Sequence, residues 1–311
     1  MSAPASWLLA EGYAGLQAQG LGLAEAAGLA PELRLLTPRP PWGVISARFW
    51  PSALAPVAAS LAPPVPAIAI TCGGTAAVVG AALRGRGVRI VQVQHPRIDP
   101  RRFDVIVVNR HDRLRGANVI VTRTALHRVT PARLAAAAAS WQERFAALPR
   151  PLVAVLVGGS NGRFRLDAPV ARQLAARLAA MMDQDRVGLV LTPSRRTEPA
   201  VTQALADALA PRGAFVWDGT GENPYFGMLA LADVVIATED SVSMVSEAVA
   251  TPAPVLLVDL PGRSHRIGAF TEELLAEGRV RRFTGRLDRW PCAPLDDTAA
   301  AGAEVRRRLG L

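Results

Sequence analysis

Short apolar runs alternate with longer alanine- and leucine-rich stretches along almost the whole chain. Runs such as Ala67–Thr71, Leu152–Val157 and Val255–Val258 have the length of strands, and Pro131–Ala147 and Asp167–Met182 have the length and composition of helices. Continuous apolar runs of this kind are typical of parallel strands that helices cover on both faces. The alternation therefore predicts βα units built on parallel sheets.

The alternation is interrupted once, at Leu148–Pro151, and then begins again. A chain of 311 residues is long enough for two domains. We therefore expect an α/β fold of two Rossmann-like domains that face each other across a central cleft. The predicted boundaries are an N-terminal domain over 1–148, a second domain over 149–285, and a C-terminal segment over 286–311 whose last helix packs back on the first domain. Such sheets bind ligands at the carboxyl ends of their strands.

The net charge is +9, and the sequence contains arginine but no lysine. A lysine Schiff base and a P-loop lysine are therefore excluded, and a phosphate must be bound by arginine, hydroxyl or backbone N–H groups. The basic residues are spread along the chain and no nucleic-acid-binding motif is present, so we expect no nucleic-acid partner. No apolar run approaches the length of a membrane span, and the first residues lack the pattern of a secretory signal. We expect a cytoplasmic protein.

The sequence shows no pattern typical of a metal site or a hydrolase. The two cysteines and four histidines have no metal-ligand spacing. Asp183–Asp185 matches the DxD pattern that binds divalent cations in one class of glycosyltransferase, but it precedes a strand and so belongs to the opposite edge of the sheet. No GxSxG nucleophile turn is present. We expect neither a catalytic metal nor a cofactor.

The stretch Asp233–Gly262 reads as strand, polar turn, helix, turn and strand. Its first turn, Thr238–Ser241, offers hydroxyl and backbone N–H groups at the start of a helix, where phosphates bind. Ser241 and Ser243 are candidate ligands of an anion. Glu247 follows one to two helical turns later and could reach a sugar hydroxyl, although the residue alone could equally be a surface glutamate.

Two other turns follow strands of the same predicted domain. The turn Gly158–Gly162 allows a close approach of backbone to a ligand, and Ser160 can donate to phosphate; a plain loop is the other interpretation. The turn Thr192–Thr197 carries Arg195 and could clamp a diphosphate, or could be a helix cap at Thr197 with two solvated arginines. Gly158, Gly159, Ser160 and Arg195 join the candidate anion-binding residues, because these turns are expected at one sheet edge.

Candidate proton acceptors lie in the first predicted domain. Glu11 follows the first strand in a glycine-containing turn and could act as a general base, or could be an acidic residue that favours a helix N-terminus. His111 and Asp112 follow another strand. Adjacent residues rarely face each other, so no dyad is claimed, and the two residues remain separate candidates.

Several stretches of the sequence resemble a family named after a plant mitochondrial-fission factor, whose bacterial members are described as glycosyltransferases of lipopolysaccharide core synthesis. The stretches are WLLAEGYAGLQAQGLGLAEAAGL, VQHPRIDPRRFDVIVVNRHDRLRGANVIVTRTALHRVTP, LVGGSNGRFR, LTPSRRT, ENPYFGMLALADVVIATEDSVSMVSEA and LDRWPCAPLDDT. The second domain is also similar to the nucleotide-binding half of the N-acetylglucosaminyl transferase of peptidoglycan synthesis. At its first turn the family usually carries an aspartate and a histidine, where this chain has Glu11 and Leu16.

The resemblance implies a GT-B fold and a metal-independent glycosyltransferase. A sugar would pass from a nucleotide-sugar donor to a glycolipid or lipopolysaccharide-core-type acceptor, with peripheral association at the inner membrane. Ser241 and Ser243 would contact the diphosphate and Glu247 the ribose. The alternative is a non-catalytic binding or membrane-remodelling adaptor on the same scaffold. An NAD-dependent epimerase is excluded, because the chain lacks a dinucleotide fingerprint and any lysine.

Overall fold

Helices and strands alternate along the chain in the structure, a computed structural model that describes residues 4–311. The strands form two sheets of six, and every neighbouring pair is parallel. The chain divides into two units: the first runs to Arg128 and resumes over Asp296–Leu311, and the second is Val129–Leu295. None of the helices within residues 4–311 is both long and apolar enough to cross a bilayer.

The first unit is built on a sheet whose strand order reverses between its first and third strands. Its elements are β1 (Ser6–Ala10), α1 (Ala14–Ala26), β2 (Glu32–Leu35), β3 (Ile68–Cys72), α2 (Gly74–Arg84), β4 (Arg89–Val93), β5 (Val105–Asn109) and β6 (Val119–Thr122). The sheet order is β2-β1-β3-β4-β5-β6. Alternate residues of β3 pack on opposite faces: Ile68 and Ile70 join one apolar cluster and Ala69 the other. Both faces are therefore covered, as the apolar runs predicted.

The second unit repeats this design. Its elements are α3 (Pro131–Phe145), β7 (Leu152–Val157), α4 (Ala168–Asp185), β8 (Gly188–Pro193), α5 (Pro199–Leu209), β9 (Phe215–Val216), α6 (Tyr225–Leu231), β10 (Val234–Thr238), α7 (Val242–Val249), β11 (Val255–Val258), α8 (His265–Ala276) and β12 (Val280–Arg282). The sheet order is β12-β11-β10-β7-β8-β9, so the order reverses between β7 and β10. Such a reversal leaves a crevice at the carboxyl ends of the two strands.

Two elements of this unit were not predicted from the sequence. The strand β12 contains a single apolar residue, Val280, followed by two arginines, so it lacks the apolar run of a buried strand. The helix α8 follows the Pro261–Ser264 turn, with Ser264 as its N-cap. It buries only four residues, among them Phe270 and Leu274. In both elements tertiary packing, rather than a strong local pattern, determines the structure.

The boundary between the units lies earlier than the predicted position at 148/149. The helix α3 belongs to the second unit, because its apolar face is buried there. The ring of Trp141 lies 5.4 Å from that of Phe145 and 6.2 Å from that of Phe215, which is on β9. The helix is amphipathic on either assignment, so the sequence does not reveal which sheet it covers.

The last helix, α9 (Thr298–Leu309), returns to the first unit and packs on α1. Gly302 allows this contact, since a Cβ atom there would lie 2.5 Å from the backbone of Ala26. At the start of α9, Arg123 Nη2 lies 2.5 Å from Asp297 Oδ1. Partial burial raises the pKa of Asp297, but the hydrogen bonds from Arg123 outweigh it and hold that pKa below its usual value.

Candidate functional site

Three turns meet at the carboxyl edge of the second sheet, beside the reversal point between β7 and β10. They are Gly158–Gly162 after β7, Ser194–Thr197 after β8 and Glu239–Ser241 after β10. Their contacts are hydrogen bonds from one turn to the next, described below. The turn after β10 leads directly into α7, whose first N–H groups have no partner within the helix.

A buried carboxylate, Asp240, joins the three turns. Its side chain is fully buried, and its Oδ1 accepts a hydrogen bond of 2.7 Å from the hydroxyl of Thr238. Its Oδ2 accepts one of 3.2 Å from the N–H of Gly159 and one of 2.8 Å from Arg196 Nη2. A buried charge needs such partners to persist. No role for Asp240 was predicted from the sequence; the available signal was a charged residue within the polar turn that follows a buried strand.

The glycines of the first turn are required by this packing. A Cβ atom on Gly158 would lie 2.1 Å from Asp240 Oδ1, and one on Gly159 would lie 2.2 Å from the carbonyl oxygen of Arg196. The N–H of Gly158 donates to Thr238 Oγ1 at 2.8 Å. The N–H groups of Gly158 and Gly159 therefore both have partners within the protein, and the two glycines allow the turns to pack closely.

The side chains that flank these glycines also differ from the expected arrangement. The hydroxyl of Ser160 accepts from the N–H of Leu166 and donates to its carbonyl, which closes its own loop. Thr197 does not cap a helix; its hydroxyl donates to the carbonyl of Gly158 at 2.5 Å. Arg195 is exposed and has no ion pair among residues 4–311. Arg196 is the arginine that the structure fixes in this site, although the sequence analysis selected its neighbour.

The start of α7 retains the features expected of an anion site. Ser241 is the N-cap, and its Oγ accepts from the N–H of Met244 at 3.4 Å. The N–H groups of Val242 and Ser243 are in the first turn, where the helix itself offers no acceptor. Ser241 and Ser243 are both half-buried. Backbone N–H groups and the helix dipole there favour a negatively charged ligand.

Glu247 lies on α7 and is hydrogen-bonded to a tyrosine that the sequence analysis missed. The hydroxyl of Tyr225, at the start of α6, donates to Glu247 Oε2 at 2.5 Å. Burial raises the pKa of Glu247 to about 7, and the bond from Tyr225 partly opposes that rise. Burial, and then the negative charge of Glu247, raise the pKa of Tyr225 well above its ordinary value. Glu247 is therefore a half-buried, positioned carboxyl group rather than a solvated surface residue.

The carboxyl end of α7 is held by a buried arginine. Arg279 Nη2 donates to the carbonyls of Val249 at 2.8 Å and of Thr251 at 2.7 Å. Val249 is the last residue of the helix and Thr251 lies just beyond it, so the guanidinium binds carbonyls at the negative end of the helix dipole. The helix that carries Ser241, Ser243 and Glu247 is thus fixed at both ends.

Glu11 occupies the equivalent reversal point of the first sheet, between β1 and β3. Its Oε1 accepts the N–H of Thr75, in the first turn of α2, at 3.1 Å. A Cβ atom on Gly73, whose φ is +103°, would lie 3.0 Å from the same oxygen. Oε2 has no hydrogen-bond partner in the described part of the chain. One carboxylate oxygen thus remains for a ligand while the other orients the group.

His111 and Asp112 lie in a short 3₁₀ turn after β5. Their side chains are 1% and 4% exposed, and His111 Nε2 lies 4.0 Å from Asp112 Oδ1. Asp112 Oδ2 accepts the N–H of Asn109 at 3.2 Å. The turn brings the two adjacent side chains towards each other, contrary to the expectation for neighbours. Both side chains are therefore largely shielded from solvent, and their role as alternative proton acceptors stays a prediction.

The DxD pattern forms ion pairs at the other edge of the sheet. Asp185, at the end of α4, lies 2.5 Å from Arg286, and Asp183 lies 3.3 Å from Arg212. The Arg286 guanidinium lowers the pKa of Asp185. Each carboxylate has an arginine partner, and no group of three potential metal ligands occurs within residues 4–311.

Sequence comparison identifies relatives over nearly the whole chain. Residues 14–309 match the model of the family described as "Mitochondrial fission ELM1". The mitochondrial fission protein ELM1 of Arabidopsis thaliana is 34% identical, with 78% of this chain and 64% of that protein covered. An uncharacterised Rickettsia prowazekii protein is 24% identical over 78% of this chain and 80% of its own. This chain therefore spans about two thirds of the length of the plant relative.

Several solved structures share this fold, and two of those named here hold a nucleotide sugar. A UDP-GlcNAc 2-epimerase from Methanocaldococcus jannaschii, in complex with UDP-GlcNAc and UDP, gives a TM-score of 0.62 at 11% identity, covering 98% of this chain and 99% of that one. MurG of Acinetobacter baumannii gives 0.52 at 17% identity, covering 98% and 95%. Medicago truncatula UGT71G1 complexed with UDP-glucose gives 0.54 at 11% identity, covering 97% and 89%. The expected GT-B fold class is confirmed. The epimerases are a class that the sequence analysis did not consider on this fold.

Proposed function

The chain belongs to the mitochondrial fission ELM1 family, and on that premise we propose that it is a glycosyltransferase of the GT-B type. It moves a sugar from a nucleotide-sugar donor to a glycolipid or lipopolysaccharide-core-type acceptor. The observation that carries the proposal is the arrangement on α7: the helix begins at the reversal point of the second sheet, and Glu247, which Tyr225 positions, follows on the same helix. Nucleotide-sugar ligands in structures of the same fold support the choice of substrate class.

In this proposal the second unit binds the donor. The diphosphate lies at the start of α7, against the N–H groups and hydroxyls of Ser241 and Ser243. Arg196 and the exposed Arg195 supply positive charge. Glu247, in its ionised form, accepts hydrogen bonds from the ribose hydroxyls. Gly158, Gly159 and Ser160 act indirectly, because they hold the turns that form the site.

The chemistry follows from these positions. The acceptor hydroxyl attacks the anomeric carbon of the sugar, and the bond from that carbon to the diphosphate oxygen breaks. The hydroxyl proton passes to a carboxylate, for which Glu11 is the candidate. Negative charge grows on the departing diphosphate, where the α7 N-terminus and the arginines stabilise it. Charge stabilisation of this kind needs neither a metal ion nor a cofactor, and the lipid nature of the acceptor implies work at the periphery of a membrane.

Binding is tested first, by thermal shift and calorimetry with nucleoside diphosphates and nucleotide sugars. We expect the wild-type protein to be stabilised, Glu247→Ala to lose most of this shift, and the control Glu272→Ala, an exposed glutamate of the same unit, to retain it. A 2′-deoxyribose donor should bind wild type more weakly. Equal shifts for wild type and Glu247→Ala would contradict the ribose assignment.

Turnover is tested second, by product analysis with a nucleotide sugar in the presence and absence of lipid acceptors. Sugar transfer that Glu11→Gln abolishes supports the transferase. Conversion of the nucleotide sugar without acceptor would identify an epimerase instead. No stabilisation by any nucleotide would favour the non-catalytic adaptor.

A further inference from the structure

The segment between β2 and β3 exposes large apolar side chains at one tight turn. Val44 is 92% exposed, Phe49 66% and Ile45 39%. They lie on two short 3₁₀ turns, Trp42–Val44 and Ala47–Phe49. We call residues 42–49 the apolar turn. Single exposed apolar residues are common on protein surfaces, but three within six positions are a feature that calls for a partner.

Buried side chains and hydrogen bonds hold the apolar turn in place. Trp50 is buried, and its indole N–H donates to the carbonyls of Trp42 at 3.2 Å and of Ile45 at 3.0 Å. Ala47 is also buried in the same apolar cluster. The turn is therefore anchored on both sides of the exposed residues, and their exposure is a property of the folded unit rather than of a loose loop.

The sequence around the apolar turn is basic. From residue 33 to residue 98 the sequence has no aspartate or glutamate, and it has seven arginines. Two of them, Arg39 and Arg48, are exposed at the turn and have no carboxylate partner among residues 4–311. The guanidinium of Arg48 lies 4.5 Å from the ring centroid of Phe49, which places charge beside the apolar surface.

We propose that the apolar turn docks the first unit on a membrane of anionic phospholipid. Val44, Ile45 and Phe49 would enter the boundary between headgroups and acyl chains, and Arg39 and Arg48 would contact lipid phosphates. An apolar tip bordered by arginine suits this boundary, where apolar and charged groups are both solvated. A stable protein interface takes about 20 residues on each partner, and three exposed apolar side chains are too small a patch for one. The docking surface is on the first unit and is independent of donor binding.

The test is flotation of the full chain with vesicles of phosphatidylcholine alone or mixed equally with phosphatidylglycerol. We expect binding to the mixed vesicles that weakens at high salt, as screening of the arginines requires. The double variant Val44→Asp, Phe49→Asp should partition at least about tenfold more weakly, since each buried apolar side chain contributes about that factor. Arg39→Gln with Arg48→Gln should remove the preference for anionic vesicles.

A matched control distinguishes the turn from general surface apolarity. Val121, on the edge strand β6 at the other end of the sheet, is 36% exposed. Val121→Asp should bind vesicles as wild type does. Three outcomes would overturn the proposal: no binding of wild type to anionic vesicles, unchanged binding of the Val44, Phe49 variant, or self-association through the turn without lipid binding. The flotation assay contains no nucleotide, so its result does not depend on whether the second unit binds a nucleotide-sugar donor.

Discussion

Replacing Glu247 by glutamine is expected to stabilise the protein at alkaline pH while it removes a proposed ligand group. In the folded protein burial raises the pKa of Glu247 from its ordinary 4.5 to about 7. Between those values the folded state holds a proton that the unfolded state has lost, so stability falls as pH rises. This contribution is fully present below about pH 4.5 and is lost by about pH 7. Glutamine stays neutral and keeps an oxygen that accepts the hydrogen bond from Tyr225. The variant therefore does not lose stability as the pH rises.

The size of the effect follows from the pKa difference. From 4.5 to about 7, at about 1.4 kcal/mol for each tenfold change in proton affinity, the upper limit is about 3 kcal/mol. Glu247 is only half-buried, so water reduces the cost of its charge, and a gain on the order of 2 kcal/mol is expected. Near pH 5 Glu247 is already protonated in most folded molecules. The stability that Glu247→Gln gains over wild type should therefore shrink to below about 1 kcal/mol.

The assay is urea unfolding of wild type, Glu247→Gln and the exposed control Glu272→Gln at about pH 5 and about pH 8. The variant should unfold at a higher urea concentration than wild type at the alkaline pH, and the control should track wild type throughout. An equal difference at both pH values, or a less stable Glu247→Gln at alkaline pH, would refute the reasoning. A residue whose replacement stabilises the fold but abolishes nucleotide binding is one retained for function.

Three further changes test other contacts. Tyr225→Phe removes a hydrogen bond that lowers the pKa of Glu247, so it should raise that pKa further, reduce the ionised fraction of Glu247 at neutral pH and weaken nucleotide affinity several-fold; calorimetry at alkaline pH should show a much smaller loss. Gly159→Ala should cost about 1–3 kcal/mol in thermal unfolding because its Cβ would meet backbone at 2.2 Å, whereas Gly162→Ala has open space and should be tolerated. Asp297→Asn should cost about 1–3 kcal/mol near neutral pH. The pKa of this carboxylate is lowered from 3.8, so its stabilising effect is lost once acid protonates it. The stability difference between wild type and Asp297→Asn should therefore vanish in acid. A difference that is the same at all pH values would show that the variant is less stable because of packing.

The sequence located much of the fold because the strands are buried on both faces. Strands such as Leu152–Val157 must be continuously apolar, and that pattern is visible without a structure. The helix that starts after Ser241 was equally visible, since an N-cap and a helical apolar pattern are local signals. The family resemblance is confirmed by the match over residues 14–309. The strand β12 lacks an apolar run and was missed; the helix α8 was also missed, although Ser264 caps it, because it buries only four residues.

The sequence could not identify which polar groups in the turns form hydrogen bonds with other parts of the protein. The partners of Asp240 come from residues far along the chain, Gly159 and Arg196, and only folding brings them within hydrogen-bond distance. The same holds for Tyr225 and Glu247, which lie on different helices. Adjacent arginines such as Arg195 and Arg196 look alike in sequence, although one pairs with a buried carboxylate and the other remains in solvent.

The sequence by itself determined the class of fold, the family and the position of the polar turn in front of α7. These depend on local periodicity, capping and turn chemistry, which neighbouring residues encode. The tertiary structure alone decided the strand order, and with it the two reversal points where Glu11 and the Asp240 turns lie. It also decided that Glu247 sits half-buried against Tyr225 rather than in solvent. Strand order and burial arise from contacts between residues distant in the chain, so no local pattern can specify them.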